Sequence, residues 1–151
     1  MKNIKYLFIT GHRKSGTTFF CSLLDNHPSL CVYPFDLTIL YAYYPQYIKK
    51  NIALKKKKKY LISLILRSWN IRERQIKNKS ILKKKKFKNL LEKKISLKSL
   101  NNIFLIINIV SKSFLEIYPN KNFKYFVFKE TSISMYFNEF SENFKKCKFI
   151  Q

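Results

Sequence analysis

Glycine is nearly absent from this 151-residue chain: there are two, Gly11 and Gly16, beside four prolines, three cysteines and one tryptophan. That scarcity excludes glycine- or proline-rich linkers, and no internal repeat is visible. Cys21, Cys31 and Cys147 are odd in number and lack any CxxC spacing, which excludes a disulfide framework and a cysteine zinc site and suits a reducing compartment. Long apolar runs are missing too. Tyr6–Ile9, behind Lys2 and Lys5, is too short for the core of a signal peptide, and Tyr60–Leu66 and Ile103–Val110 fall far below a membrane span. The expectation is a soluble, cytoplasmic protein.

Acidic residues are the other deficit. Eight face 31 lysines and arginines, for a net charge of +23. The excess is local: residues 49–98 hold 20 of the basic residues and only Glu73 and Glu92, leaving +5 for the rest of the chain. Lys55–Lys59 and Lys83–Lys86 supply much of it. The abundance of Lys, Asn, Ile and Phe is what an AT-rich coding sequence yields, so codon bias accounts for part of the charge. The other readings are a basic surface toward a polyanion or membrane, and help in attracting an anionic ligand.

Hydrophobic residues make up 46% and aromatics 17% of the chain, enough for one domain, 1–151, with a real core. Ile4–Thr10 is an apolar, β-prone run ending at Gly11 and reads as a buried strand. Thr17–Asn26 places Phe20, Leu23 and Leu24 at helical spacing, and His27-Pro28 ends that helix. Leu30–Tyr33 is a short strand and Asp36–Tyr44 a helix with Asp36 near its start. Helices with polar breaks are expected over residues 51–116, with a Lys-rich helical insert at about 49–98. The last of these helices is Leu97–Ile117, with Ile103, Ile106, Ile107, Val110 and Phe114 on one face. Pro119-Asn120 marks a turn, followed by strand Tyr125–Phe128, helix Ser132–Phe144 and strand Cys147–Gln151. Alternating strands and helices predict an α/β fold with a parallel sheet, Ile4–Thr10 lying between Tyr125–Phe128 and Cys147–Gln151. In such sheets ligands bind in the loops after the strands, and Cys147–Gln151 has none after it, so the fold is expected to be incomplete at its C-terminus.

The informative segment is Gly11-His12-Arg13-Lys14-Ser15-Gly16-Thr17-Thr18. A strand runs through a loop into a helix, whose unpartnered first N–H groups make an anion site. Gly11, Gly16 and Thr18 match the spacing of the ATP-binding pattern G-x-x-x-x-G-K-[ST], but Thr17 stands where its lysine belongs. The lysine sits inside the loop instead, at Lys14, and no expected strand ends in an Asp suited to Mg²⁺. The loop is therefore expected to hold an anion that is transferred without a metal, Lys14 supplying the neutralising charge.

Arg13-Lys14-Ser15-Gly16-Thr17-Thr18-Phe19-Phe20, followed by Leu23-Leu24-Asp25-Asn26-His27-Pro28, resembles the 5′-phosphosulfate loop and helix of sulfotransferases that use 3′-phosphoadenosine 5′-phosphosulfate (PAPS). Members read [PR]-[KR]-S-G-T-T-[WFL] and then L-L-D-x-H-P. More weakly, Phe128-Lys129-Glu130-Thr131-Ser132 and Phe144–Ile150 are similar to a K-[ET]-[PT] segment and the strand after it, which in the family leads into the 3′-phosphate site. The resemblance implies a three-layer, P-loop-like α/β fold and transfer of a sulfuryl group from PAPS, as co-substrate, to a hydroxyl or amine. Its acceptor would be a small molecule, glycan or lipid, with no metal and no nucleic acid involved. Residues 49–98 leave room for weak contact with an anionic membrane.

Carried over residue by residue, the resemblance gives Lys14 the charge on the leaving phosphate. It gives Ser15, Gly16, Thr17 and Thr18 the phosphosulfate cradle, through the N–H groups of Ser15–Thr18 and the three hydroxyls. Arg13 either assists or points outward, and Phe19 either nears the adenine or faces the core. An acceptor also needs a general base. Asp36, where some members place a Glu, is the base or a helix cap, and Glu130 is a base or a positioning group. His27 is expected to close the first helix, His12 to be a solvated loop residue and Cys21 to fill the core.

Two other function classes compete. A P-loop small-molecule kinase is disfavoured by Thr17 and the missing Mg²⁺ ligand. A non-catalytic basic module would bind nucleic acid or membrane through residues 49–98, where Tyr60, Trp69 and Phe87 make a thin stacking platform. Metal dependence separates the first from sulfuryl transfer, and salt-sensitive DNA binding marks the second.

Overall fold

The computed structural model describes residues 4–12, 14–25, 27–43, 54–73, 80–119, 122–144 and 146–151. The expectations for Arg13, for Asn26 and Tyr44 as helix ends, and for the turn at Asn120 lie outside them. The chain forms two compact units, Met1–Leu37 with Asn120–Gln151, and Thr38–Pro119.

The first unit is built on four strands, β1 (Tyr6–Ile9), β2 (Leu30–Asp36), β3 (Tyr125–Lys129) and β4 (Lys148–Ile150). All pairings are parallel and the order is β2-β3-β1-β4, so β1 lies between β3 and β4 as its apolar sequence predicts. Successive strand residues point to opposite faces, and here the two faces differ in chemistry. Tyr6, Phe8, Phe126, Phe128 and Tyr33 form an aromatic face, with Phe126 and Phe128 at 4.9 Å. Leu7, Ile9 and Val127 form an aliphatic one.

Helix α1 (Thr17–Leu24) lays Cys21 and Leu24 on the aliphatic face. On the aromatic face, Phe140 of the short helix numbered α5 in chain order (Phe137–Asn143) meets Phe8 edge-on at 5.2 Å, and Phe144 meets Tyr6 at 4.8 Å. Within this unit the sheet is thus an α/β layer structure with a helix on each face. Cys21, expected to fill the core, is half-buried and packs against its edge, and the core face expected of α1 is corrected. Phe19 is 68% and Leu23 62% exposed, and Phe20 is exposed as well, because the sheet meets the side of the helix that carries Cys21 and Leu24.

β2 also differs from its sequence reading. It runs on through Pro34 to Asp36, and Asp36–Tyr44 is not a helix: only the 3₁₀ turn Thr38–Ala42 follows. Proline lacks an N–H to give a neighbour, but β2 is an edge strand, and its register against β3 shifts between Val32 and Asp36. The C-terminal segment expected as a helix from Ser132 opens with a 3₁₀ turn, Ile133–Tyr136, before α5.

The second unit contains α2 (Leu54–Glu73), α3 (Ser80–Lys94) and α4 (Ile103–Ile117). Lys58 Nζ reaches the carbonyl of Glu92 at 2.8 Å, joining the start of α2 to the end of α3, so the two run antiparallel. Ile103, Ile106, Ile107, Val110 and Phe114 of α4 are all buried, the face its periodicity predicts. The helix starts later than Leu97, however. Asn102 caps it by accepting from Leu105 N–H at 3.0 Å, and a 3₁₀ turn, Ser99–Asn101, precedes it. Among the described residues no helix is long and apolar enough to cross a membrane.

Candidate functional site

The loop between β1 and α1 depends on backbone angles that L-residues avoid. Gly11 has φ 149°, and a Cβ there would sit 3.0 Å from Ser15 Oγ and 3.3 Å from Thr17 Cγ2. Gly16, with φ 82°, has open space around it, so it is the angle and not room that requires glycine. Between them Lys14 holds φ 66°, a left-handed angle costing a residue with a side chain about 1–2 kcal/mol. Ser15 N–H closes the intervening turn on the carbonyl of His12 at 3.2 Å.

α1 makes its first intrahelical bond from Phe20 N–H to Gly16 O at 2.9 Å, and the N–H groups of Thr17, Thr18 and Phe19 precede it without intrahelical acceptors. They point out of the helix start beside a left-handed residue, the arrangement that favours an anion. A cleft of about 380 Å³ opens here. Thr10, Gly11, Ser15, Gly16 and Thr17 line it together with Ile150, the last residue of β4, and Gln151.

A second group gathers at the carboxyl ends of the strands. Lys129, the last residue of β3, is buried, donates from Nζ to Thr18 Oγ1 at 2.6 Å and pairs with Asp36 Oδ1 at the end of β2. A lysine is tolerated in a buried position when it is paired and hydrogen-bonded in this way. The next residue, Glu130, is buried, and its Oε1 accepts from Ser132 N–H at 3.0 Å while Oε2 has no hydrogen-bond partner among the described residues. Burial, with Asp36 as a smaller contribution, pushes its carboxyl up to about 7, against the pull of the Ser132 hydrogen bond and Lys129. Thr10 ties the neighbouring loop together, donating from Oγ1 to Thr131 O and accepting from Ser134 N–H, both at 3.2 Å.

The sequence-derived site residues therefore fall into two sets. Ser15, Gly16 and Thr17 share the cleft, while Thr18 and Asp36 meet through Lys129. Lys14 is exposed in the loop. Three expectations are corrected. Ser15 N–H is taken by His12, which removes it from the cradle, and Asp36 ends a strand and faces a lysine, so it is not a helix cap. Phe19 points to solvent and not the core. His27 does close α1, its N–H on Leu24 O and its Nδ1 accepting from Ser29 N–H at 3.1 Å.

Lys129 is the residue that the sequence reading left without a role. Its signal was there: a charged residue directly after the apolar run Tyr125–Phe128, at the strand end where ligands bind in parallel sheets. Burial and then Asp25 push the Cys31 thiol up to about 11, which keeps that sulfur protonated at neutral pH.

Compared with protein-family models, curated proteins and solved structures, the chain matches none.

Proposed function

We propose that this chain binds the 5′-phosphosulfate group of PAPS and serves sulfuryl transfer to a hydroxyl or amine of a small-molecule, glycan or lipid acceptor. The observation that carries the reading is the loop itself. Two glycines at positive φ deliver β1 into α1, three N–H groups lie without intrahelical acceptors, and Lys14 stands inside the loop while Thr17 occupies the ATP-lysine position.

In this reading the phosphosulfate sits against the N–H groups of Thr17, Thr18 and Phe19. The bond between sulfur and the phosphate oxygen breaks, a bond from sulfur to the acceptor oxygen or nitrogen forms, and adenosine 3′,5′-bisphosphate leaves. Lys14 balances the charge that grows on the leaving phosphate. Asp36, whose side chain is 47% exposed, takes the acceptor's proton, and Lys129 holds that carboxylate beside the start of α1. Thr18 is then a positioning residue as much as a ligand.

Calorimetry on the chain tests this directly. PAPS is expected to bind without Mg²⁺ and more tightly than ATP. Binding of ATP that requires Mg²⁺, with no response to PAPS, rejects the reading in favour of a kinase-like phosphotransferase.

A further inference from the structure

In the second unit the two lysine-rich helices sort their side chains by face. α2 buries Leu61, Leu64 and Ile65, and α3 buries Phe87 and Leu91. On its other side α2 exposes Lys56, Lys59, Ser63 and Arg67, spaced three, four and four residues apart, so they share one stripe of the helix. α3 exposes Lys85, Asn89 and Lys93 at intervals of four, with Lys86 beside them. The helices run antiparallel, and Lys59 and Ser63 of α2 border the same groove as Lys88 of α3, so the two stripes adjoin. Six cations thus stand exposed on neighbouring helices, over about 16 Å along α2 and on axes about 8–10 Å apart. The acid described among them, Glu92, already faces Lys88 at 3.7 Å.

Like charges held this close repel one another, and an anionic partner relieves that repulsion. Among the described residues of α2 and α3 no large apolar side chain is exposed, so this face has nothing to insert into a bilayer. Single-stranded nucleic acid binds through exposed rings, but Phe87 is buried and Tyr60 half-buried. Five of the six cations are lysines, point charges that contact phosphate without reading bases. A duplex carries one negative charge per about 1.7 Å of its axis on two strands, which suits cations spread over two helices better than a single thread of charge does. We propose that the outward faces of α2 and α3 bind the phosphate backbone of double-stranded nucleic acid without regard to base sequence. The surface lies wholly in the second unit and does not depend on sulfuryl transfer.

The test is fluorescence anisotropy of the full chain with a labelled DNA duplex of about 20 base pairs, repeated across salt concentrations. With about four to six phosphates contacted, raising salt from about 50 to 200 mM is expected to weaken binding roughly 10²–10³-fold. Two duplexes of unrelated sequence should bind alike, and a single strand of the same length more weakly.

Lys59→Gln, Lys85→Gln and Lys93→Gln combined remove three exposed charges without touching the buried stripes, and glutamine suits a helix about as well as lysine does. This variant is expected to bind about tenfold more weakly or worse and to lower the salt slope by about 2–3, with an unchanged circular dichroism spectrum. Lys59→Arg, Lys85→Arg and Lys93→Arg together should retain the affinity. The control, Lys5→Gln with Lys124→Gln and Lys148→Gln, removes the same charge from exposed positions of the first unit. It should stay within about threefold of the parent, because charges away from the contact are screened. Equal losses in the two glutamine variants overturn the proposal, since the net charge of +23 then explains the binding. Tighter binding of the single strand, or a preference of about tenfold between the duplexes, overturns it too. So does binding to phosphatidylglycerol vesicles with none to the duplex, which assigns the lysines to a membrane surface.

Discussion

At the scale of single residues, Lys14 combines charge with an unfavourable backbone angle. Strain at a non-glycine residue persists where the surroundings impose it, and it gathers at functional loops. Replacing Lys14 by glycine separates the two properties. Lys14→Gly is expected to leave the chain as stable as before or more so, by up to about 1 kcal/mol, or about 3 °C in Tm. Lys14→Met keeps the strained angle and loses only the charge. If sulfuryl transfer is the reaction, both variants lower kcat by roughly 10²-fold or more, while KM for PAPS rises much less, because the backbone N–H groups remain. Steady-state kinetics beside thermal melts check this, and near-wild-type kcat in Lys14→Met removes the lysine from the mechanism. Arg13 would behave as a steering charge, with a salt-sensitive change in KM.

At the scale of elements, the loop that joins β1 to α1 is held by its two glycines in different ways. Gly16 needs only its angle, whereas Gly11 needs its angle and the space that Ser15 Oγ and Thr17 Cγ2 occupy. Gly16→Ala is therefore expected to cost about 1 kcal/mol, and Gly11→Ala roughly 2–3 kcal/mol, with the added loss coming from displacement of Ser15 and Thr17. Denaturant titrations of the two variants give the comparison; equal losses would show that Ser15 and Thr17 yield freely. The same element carries Phe19, Phe20 and Leu23 exposed, which frees Cys21 and Leu24 to meet the aliphatic face of the sheet.

For the whole molecule, Glu130 contributes a dependence of stability on pH whose sign is fixed by the direction of its shift. Its carboxyl holds its proton in the folded state up to about 7, against an ordinary 4.5. The folded state thus binds more protons than the unfolded one between these values, and stability falls as pH rises through that window. The group's full contribution is present below about pH 4.5 and is lost above about 7, amounting to roughly 3 kcal/mol at most. Glu130→Gln keeps an oxygen for Ser132 N–H and removes the titration. Its stability is expected to match the parent near pH 4.5 and to exceed it at pH 8, as chemical denaturation across pH can measure. Parallel pH curves for the two proteins would mean that Glu130 is solvated in the folded state. With a net charge of +23, this is best measured at constant ionic strength, where self-repulsion is common to both.

Local pattern was enough for the features that rest on neighbours in the chain. The alternation of apolar strand and helix carried the parallel sheet with β1 between β3 and β4, and the 3.6-residue period of Ile103–Phe114 carried the buried face of α4. The Gly11–Thr18 spacing carried the loop. Other features depended on partners far away in sequence. Asp36 was a helix start by composition, yet pairing of β2 with β3 made it a strand end facing Lys129, 93 residues on. The exposed face of α1 was decided by which stripe the sheet could accept, and the pairing of Thr18 with Lys129, 111 residues away, by the meeting of α1 with β3. Periodicity reports which residues share a face; only packing selects the face that is covered and the ion pairs that its burial demands.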